Sequence, residues 1–387
     1  MAFCLLDCDL YDMYDCIIVG AGPSGGAAAY HLAKAGRSVL LIERASLPRY
    51  KPCGGGISPQ VAEWFDFDFA PVISLKVRRL RCTWQMQDAV DADIAPEDAI
   101  WMVRRDQFDF FLVQQAQRQG AELWQATRAT GIEWQSDRWQ VATSRGPVEA
   151  KYLIAADGGR GPMAKWLGFT QQRYQFATAI EIEPRVDIPD NPFLYLEMGL
   201  IRNGYLWNFP KADGFSIGGG TMRINQQQRQ DLRAPVATYA DHFAVPIKQQ
   251  TVHGHPILAW NGDQPLHTQN ALLAGEAACV VDPFTAEGIR PALFSGVKAA
   301  RAIDQALAGD GHALESYSQV ISAEWGRDMR WAKRVAQAFY KVPKLAFNLG
   351  VKRPNAAPMM IKLFNGRVGY DEVAKRALNR LSGGLVS

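Results

Sequence analysis

The sequence predicts a mixed α/β (α+β) protein. A Rossmann-like dinucleotide-binding domain is assembled from separated segments, carries an inserted antiparallel-sheet substrate domain, and is followed by a helical C-terminal region. Three observations carry this. From Tyr14 an apolar run, a glycine-rich turn and an Ala-rich stretch follow one another, and a second apolar run ends at Glu43. Apolar runs that break into glycine recur much later, in YLIAADGG at 152–159 and ALLAG at 271–275. Between them, residues 176–223 alternate in the manner of strands.

In order, residues 16–19 read as a buried strand, 20–25 as a glycine turn, 26–34 as a helix and 38–42 as a second strand, which makes a βαβ unit. A turn-rich loop, LPRYKPCGGGISPQ, precedes a short helical stretch near 61–64 and strands with turns over 75–103. Residues 105–120 form a helix, because Phe108, Phe111, Leu112 and Gln115 recur at helical spacing and Gly120 stops it. Short strands fill 123–150. Tyr205, Trp207 and Phe209 alternate with Leu206 and Asn208 and so share one sheet face, which needs an apolar partner. A Gln-rich helical interval covers 225–250, then a strand at 272–274, a turn at 283–288 and a helix at 289–307. The expected units are a dinucleotide-binding domain at 1–75, 101–170 and 269–310, substrate-domain strands at 76–100 and 171–268, and a basic helical region at 311–387.

At 387 residues, roughly one domain per 150 residues gives two or three units with cores of their own. The 42 Lys and Arg against 39 Asp and Glu leave +3, which gives no reason to expect nucleic acid as a partner. The cysteines Cys4, Cys8, Cys16, Cys53, Cys82 and Cys279 include no C-x-x-C pair, so neither a zinc knuckle nor an iron-sulfur site is expected and a reducing, cytoplasmic setting is. Asp7, Asp9, Asp12 and Asp15 without Lys or Arg exclude a signal or transit peptide reading of Phe3 to Leu6; residues 1–12 read as a dispensable extension or an upstream start choice. No apolar run reaches 18 residues, which leaves surface attachment as the membrane option.

Gly20-Ala21-Gly22-Pro23-Ser24-Gly25 matches G-x-G-x-x-G between a strand and a helix, and Glu43 closes the next strand. Gly20 permits the tight turn, Gly22 lets a pyrophosphate approach the backbone, Gly25 lets helix and strand pack closely, and Glu43, followed by Arg44, is placed for ribose hydroxyls. This unit alone does not separate FAD from NAD. His253 and His255 lack a third ligand for a metal site. Neither G-x-S-x-G nor a P-loop lysine is present, which removes hydrolase and kinase readings.

Further segments, RDQFD at 105–109, Asp157-Gly158, Gly275-Glu276, Asp282-Pro283, Glu287-Gly288-Ile289, KPCGG at 51–55 and YLWNFP at 205–210, stand in fixed order. With them the chain resembles the geranylgeranyl reductase family of flavoproteins, within the p-hydroxybenzoate-hydroxylase-like FAD fold, over roughly residues 14–370. The resemblance implies FAD with its pyrophosphate on the Gly20 turn and its ring flanked by Cys53, Gly54, Gly55 and Pro283 to Ile289. Arg105 would approach the phosphate or ribityl region, Glu276 the ribityl chain, and Gly288 and Ile289 would offer backbone N–H groups to the flavin carbonyl. This chain departs from the family in Glu276 for Asp and in Cys279 and Ala286 for Gly. Bland readings stand beside these roles: Arg105 as a surface charge, Asp157 as a turn cap, Cys53 as a packed thiol, and Tyr205, Trp207 and Phe209 as sheet core. In the functional reading, Tyr205, Trp207 and Phe209 line a prenyl tunnel, and Cys53 positions substrate over the flavin, tunes the flavin or supplies a proton.

Residues 327–364 hold nine Lys or Arg against Asp328 alone, interleaved with apolar side chains, which reads either as a solvated basic face or as a peripheral contact with anionic membrane. The expected activity is saturation of polyprenyl double bonds from reduced flavin. The electron donor stays open between NADPH, NADH and reduced ferredoxin. The alternatives are an FAD monooxygenase or halogenase of the same fold, and a non-catalytic, membrane-associated redox partner.

Overall fold

The computed structural model describes residues 13–223, 230–353 and 356–381. The expectations for residues 1–12, Cys4 and Cys8 among them, and for residues 224–229 of the Gln-rich interval lie outside the described residues.

The strand Tyr14–Val19 lies at the centre of the first sheet, parallel to Val39–Ile42 on one side and Gly146–Ala155 on the other. Glu122–Trp124 and Ala271–Leu273 extend the parallel order outwards. Both faces of such a sheet are covered, so its strands read as continuous apolar runs. Ile17, Ile18, Leu40, Leu153 and Leu272 are fully buried, each contributing about 1.5–3 kcal/mol by leaving water. The helix Pro23–Lys34 covers one face, and Ala27, Ala28 and Ala29 are small enough to admit the helices Arg105–Arg118 and Ile289–Leu307 against it.

The second sheet has seven strands, in the order His253–Trp260, Tyr174–Ile182, Gly214–Met222, Gly204–Lys211, Leu194–Met198, Arg79–Trp84, Gln87–Asp93. All pairs are antiparallel except Leu194–Met198 with Arg79–Trp84. Alternation puts Tyr205, Trp207 and Phe209 on the face toward the first sheet's loops, while Leu206 packs behind with Val236 of the helix Arg233–Asp241.

Two expectations change. The strands over 75–103 divide: Arg79–Trp84 and Gln87–Asp93 join the large sheet, whereas Leu75–Val77 and Ile100–Met102 join Gly56–Ile57 in a separate three-stranded sheet under the KPCGG loop. The interval expected to be helical is an α-helix only over Arg233–Asp241, because Ala244 is left-handed (φ 57°) and Pro246 cannot continue a helix. At the C-terminus, Arg327–Lys341, Pro343–Ala346, Ala356–Phe364 and Tyr370–Leu381 pack over the open end between the sheets. Among the described residues no helix is long and apolar enough to cross a membrane.

Candidate functional site

The glycine turn makes one wall of the site. Gly22 caps the helix Pro23–Lys34 with an extended backbone (φ −81°, ψ −173°), and a Cβ built there would meet only Arg49 Nη2, 4.0 Å away. Gly25 is the opposite case: its Cβ would lie 1.8 Å from the Gly20 carbonyl oxygen. The turn is tight inside and open outside, as an anion at a helix N-terminus requires. Beside it, Glu43 accepts from the N–H groups of Ala21 and Ala45, both at 3.0 Å, and pairs with Arg49 Nε at 3.2 Å. Arg49 continues to Asp109 at 3.0 Å, and Arg105 grips the same carboxylate through two bonds of 2.8 Å. Two buried cations and two buried anions therefore balance under the turn, which is the condition for charges to stay in a dry interior.

Opposite, Asp157 Oδ2 accepts from Met163 N–H at 2.9 Å, and Asp157 Oδ1 is buried without a partner. Burial pushes this carboxyl up to about 6. Gly158 leaves its outer side free of protein atoms within 4 Å. An open backbone at Gly22 and Gly158, an orphaned acceptor at Asp157 and a carboxylate at Glu43 with acceptor capacity left fit the phosphates and sugars of a dinucleotide.

From this wall a single cavity of about 2150 Å³ runs past the KPCGG loop and the aromatic strand to the C-terminal helices, where Phe339, Leu345, Met359 and Met360 line it. Pockets for one small ligand span about 300–1,000 Å³, so there is room for a dinucleotide and a second, long apolar molecule. At mid-length the Cys53 N–H donates to Glu181 Oε1 at 2.6 Å and the Gly55 N–H to Cys53 Sγ at 3.4 Å. Trp207 Nε1 donates to Ser216 Oγ at 3.1 Å, and the Ser216 hydroxyl donates to Glu181 Oε2 at 3.2 Å. The Tyr205 hydroxyl donates to the Thr285 carbonyl, and burial raises its pKa. Under the loop, Lys211 donates to the carbonyls of Val103, at 3.0 Å, and Gly54, and burial lowers its pKa.

Gly20, Gly22, Pro23, Ser24, Glu43, Arg44, Cys53, Gly54 and Gly55 all line this cavity, as do Arg105, Asp157, Gly158, Tyr205, Trp207, Glu276, Gly288 and Ile289. Gly25, Gly275 and Pro283 do not; Gly25 packs on Gly20, Gly275 on Ser24, and Pro283 lies in a turn held by Asp282 Oδ1 through Phe284 and Thr285 N–H. At three of the expected contacts the residues also have protein partners. Glu276 accepts from Leu258 N–H at 3.1 Å and faces His255 Nε2 at 3.2 Å. Burial would raise its pKa, but the bond from His255 and the charges of His255 and Lys51 hold it down. Arg105 is committed to Asp109, and the helix-start N–H groups of Ile289 and Arg290 face the Glu287 carboxylate. Cys279 and Ala286 have φ of 55° and 59°, a conformation that favours glycine, the residue the family resemblance leads one to expect there.

The sequence reading did not single out Tyr50, Glu181 or Lys211, quoted Glu287 only as part of the segment beside the flavin ring, and considered His255 only for metal. The available signal was Glu181 standing between Ile180 and Ile182 inside a strand, a charge where a covered sheet face expects none. Among the described residues no group of His, Cys, Asp and Glu could hold a metal ion.

Residues 13–194 match the FAD binding domain family. The chain is 28% identical over 347 residues to the menaquinone reductase of Mycobacterium tuberculosis, covering 84% of each. It is 30% identical over 316 residues to the chloroplastic geranylgeranyl diphosphate reductase of Oryza sativa, covering 74% of this chain and 65% of that one. Its fold superposes with TM-score 0.80 and 21% identity on a geranylgeranyl bacteriochlorophyll reductase-like protein of Thermoplasma acidophilum, over 96% of both chains. Turn, cavity and matches together define an FAD-binding oxidoreductase of the p-hydroxybenzoate-hydroxylase-like fold. Within that fold the likeness points to the geranylgeranyl and polyprenyl reductase branch.

Proposed function

We propose that the protein saturates carbon-carbon double bonds of a polyprenyl chain. The observation that carries this is the cavity's continuity, in which the dinucleotide wall, the Cys53 loop and an apolar arm long enough for a prenyl tail form one space. When bound, FAD supplies hydride chemistry; the protein's part is to hold cofactor and tail in register. Gly20, Gly22, Glu43, Asp157 and Gly158 bind the dinucleotide. Tyr205, Trp207 and Phe209, fixed by Thr285 and Ser216, press the tail toward the Cys53 loop and exclude water from an alkene that has no carbonyl to store charge.

The tail's entrance is the rim of the C-terminal helices. Val342, Leu345 and Leu349 are 47%, 54% and 45% exposed and cluster beside Lys341, Lys344 and Arg353, an apolar surface edged with positive charge. Arg330 and Lys352 are neutralised by Asp263 and Asp88, so the attraction to anionic lipid rests on the remaining cations. Menaquinone-type and geranylgeranyl-type tails both suit this arm, as the names of the relatives suggest. Lipid extracts from cells lacking the protein test the reading: unsaturated prenyl tails should accumulate, and an unchanged tail profile would refute it.

A further inference from the structure

Saturating a double bond forms two C–H bonds. One takes a hydride with its electron pair from reduced flavin; the other takes a proton, for which the reaction proposed above names no source. Glu181 lies inside the cavity wall, 3% exposed, between the Cys53 loop and the aromatic strand. Three donors converge on it: Cys53 N–H and the Tyr50 hydroxyl, at 3.1 Å, on Oε1, and the Ser216 hydroxyl on Oε2. The Cys53 N–H is a fixed donor, whereas a hydroxyl turns from donor to acceptor by rotating its hydrogen; of the two hydroxyls Ser216 is fully buried beside the Trp207 indole, and Tyr50 is the one that reaches the surface.

Tyr50 is 44% exposed and lines a second recess of about 270 Å³, polar and edged by Lys51, Arg104, Glu183, Thr251 and His253. One hydroxyl therefore touches the buried carboxyl and borders a wet pocket on the far side of the loop.

We propose that Glu181 supplies the proton that completes each double-bond reduction and is reloaded from water through the Tyr50 hydroxyl. The inference rests on the alkene-reducing reading of the site. The Glu181 O–H bond breaks as the second C–H bond forms, leaving a carboxylate; this takes the Tyr50 proton as Tyr50 takes one from water in the recess, so the protein returns to its starting state after one hydride and one proton are consumed.

The surroundings suit a carboxyl that changes state near neutrality. Burial and the negative charge of Glu183 push Glu181 up to about 7, against the Cys53 N–H bond, the Lys211 cation and the Tyr50 bond. Glu183 follows directly after the end of the strand Tyr174–Ile182 and is paired with Arg104 at 3.2 Å; Lys211 approaches from the end of the aromatic strand, and His253 stands opposite Glu181 in the neighbouring strand with its ring tilted against Tyr50.

The test is Glu181→Gln, which keeps an acceptor for the Cys53 N–H but carries no acidic proton. Flavin absorbance should be retained, and turnover of a polyprenyl substrate should fall about 100-fold, the low end of general-acid contributions. Wild-type turnover should decline as pH rises through about 7, and this limb should vanish in the variant. Tyr50→Phe should slow turnover less and enlarge its solvent isotope effect. Independently of turnover, infrared titration of the FAD-loaded protein without substrate should show protonated-carboxyl absorption that fades over the same range and is weaker by one carboxyl in Glu181→Gln, Glu287 contributing to the remainder. Identical infrared titrations, or a Gln variant within a few fold of wild type and with its pH profile, overturn the role of Glu181 alone. A wild-type enzyme that leaves polyprenyl double bonds intact overturns the reaction reading and this role with it.

Discussion

Gly22 and Gly25 stand three residues apart in one motif, yet alanine at the two positions should act on different quantities. At Gly22 the backbone is extended and the nearest protein atom to a new methyl is 4.0 Å away, so alanine fits without strain. Replacing glycine at such a position restricts the unfolded chain and stabilises the fold by about 0.4–1 kcal/mol. The methyl instead projects over the helix N-terminus where the diphosphate meets the backbone. Losing one hydrogen bond to a charged group there costs about 1.5–3 kcal/mol, or roughly a 10- to 100-fold weaker FAD affinity. At Gly25 the methyl would sit 1.8 Å from the Gly20 oxygen and 3.0 Å from its carbon, backbone atoms that cannot move independently of the central strand. Overpacking of this kind costs about 1–3 kcal/mol of stability. Thermal unfolding of the apo proteins with FAD titrations read by flavin fluorescence separates the two. A destabilised Gly22→Ala, a Gly22→Ala that binds FAD as tightly as wild type, or a Gly25→Ala of undiminished stability would refute the reasoning.

Cys53→Ser should retain FAD yet lower alkene turnover or change how many double bonds are reduced; unchanged product distribution would assign the thiol to packing. Leu196→Trp, which places a larger side chain in the cavity wall beside Trp207, should cut turnover of long prenyl substrates more than short ones, and an unchanged length preference would remove the tail assignment. Reversing Lys341 and Lys344 to Glu should reduce cosedimentation with anionic vesicles, since each cation near such a surface contributes about 1 kcal/mol, without loss of FAD; equal recovery on neutral vesicles would count against it. Glu287, pushed up to about 7 by burial, binds its proton more tightly folded than unfolded, so its contribution to stability is present at low pH and is lost as pH rises through about 7. The stability gap between wild type and Glu287→Gln should therefore shift in favour of wild type as pH falls from about 8 to about 5, and a pH-independent gap in thermal unfolding would contradict this.

The βαβ unit was legible because its signals are local: an apolar run, a glycine turn and an Ala-rich helix within 30 residues leave few folds open. The helix Ile289–Leu307 was readable for the same reason, its apolar stripe being uninterrupted. The division of residues 75–103 between two sheets was not, because it is set by partners elsewhere in the chain: Ile100–Met102 pairs with Gly56–Ile57, and Arg79–Trp84 with Leu194–Met198. The site followed the same rule. Gly22, Glu43 and Cys53 could be named because their roles are set by neighbours in sequence. Glu181 could not, because its partners Tyr50, Cys53 and Ser216 come from a loop and a strand well removed in sequence. Glu276 and Arg105 line the cavity, and their charged ends also bond to partners invisible to sequence, His255 and Asp109.

The most direct test of the account is the mass of the product. FAD-loaded protein, reduced chemically under anaerobic conditions so that no particular electron donor is needed, is mixed with a geranylgeranyl substrate and the extract is weighed by mass spectrometry. The account predicts a gain of two hydrogens for each double bond removed. Substrate recovered unchanged from a fully reduced, FAD-loaded enzyme, or a product that gains oxygen or halogen once air or halide is admitted, would contradict it.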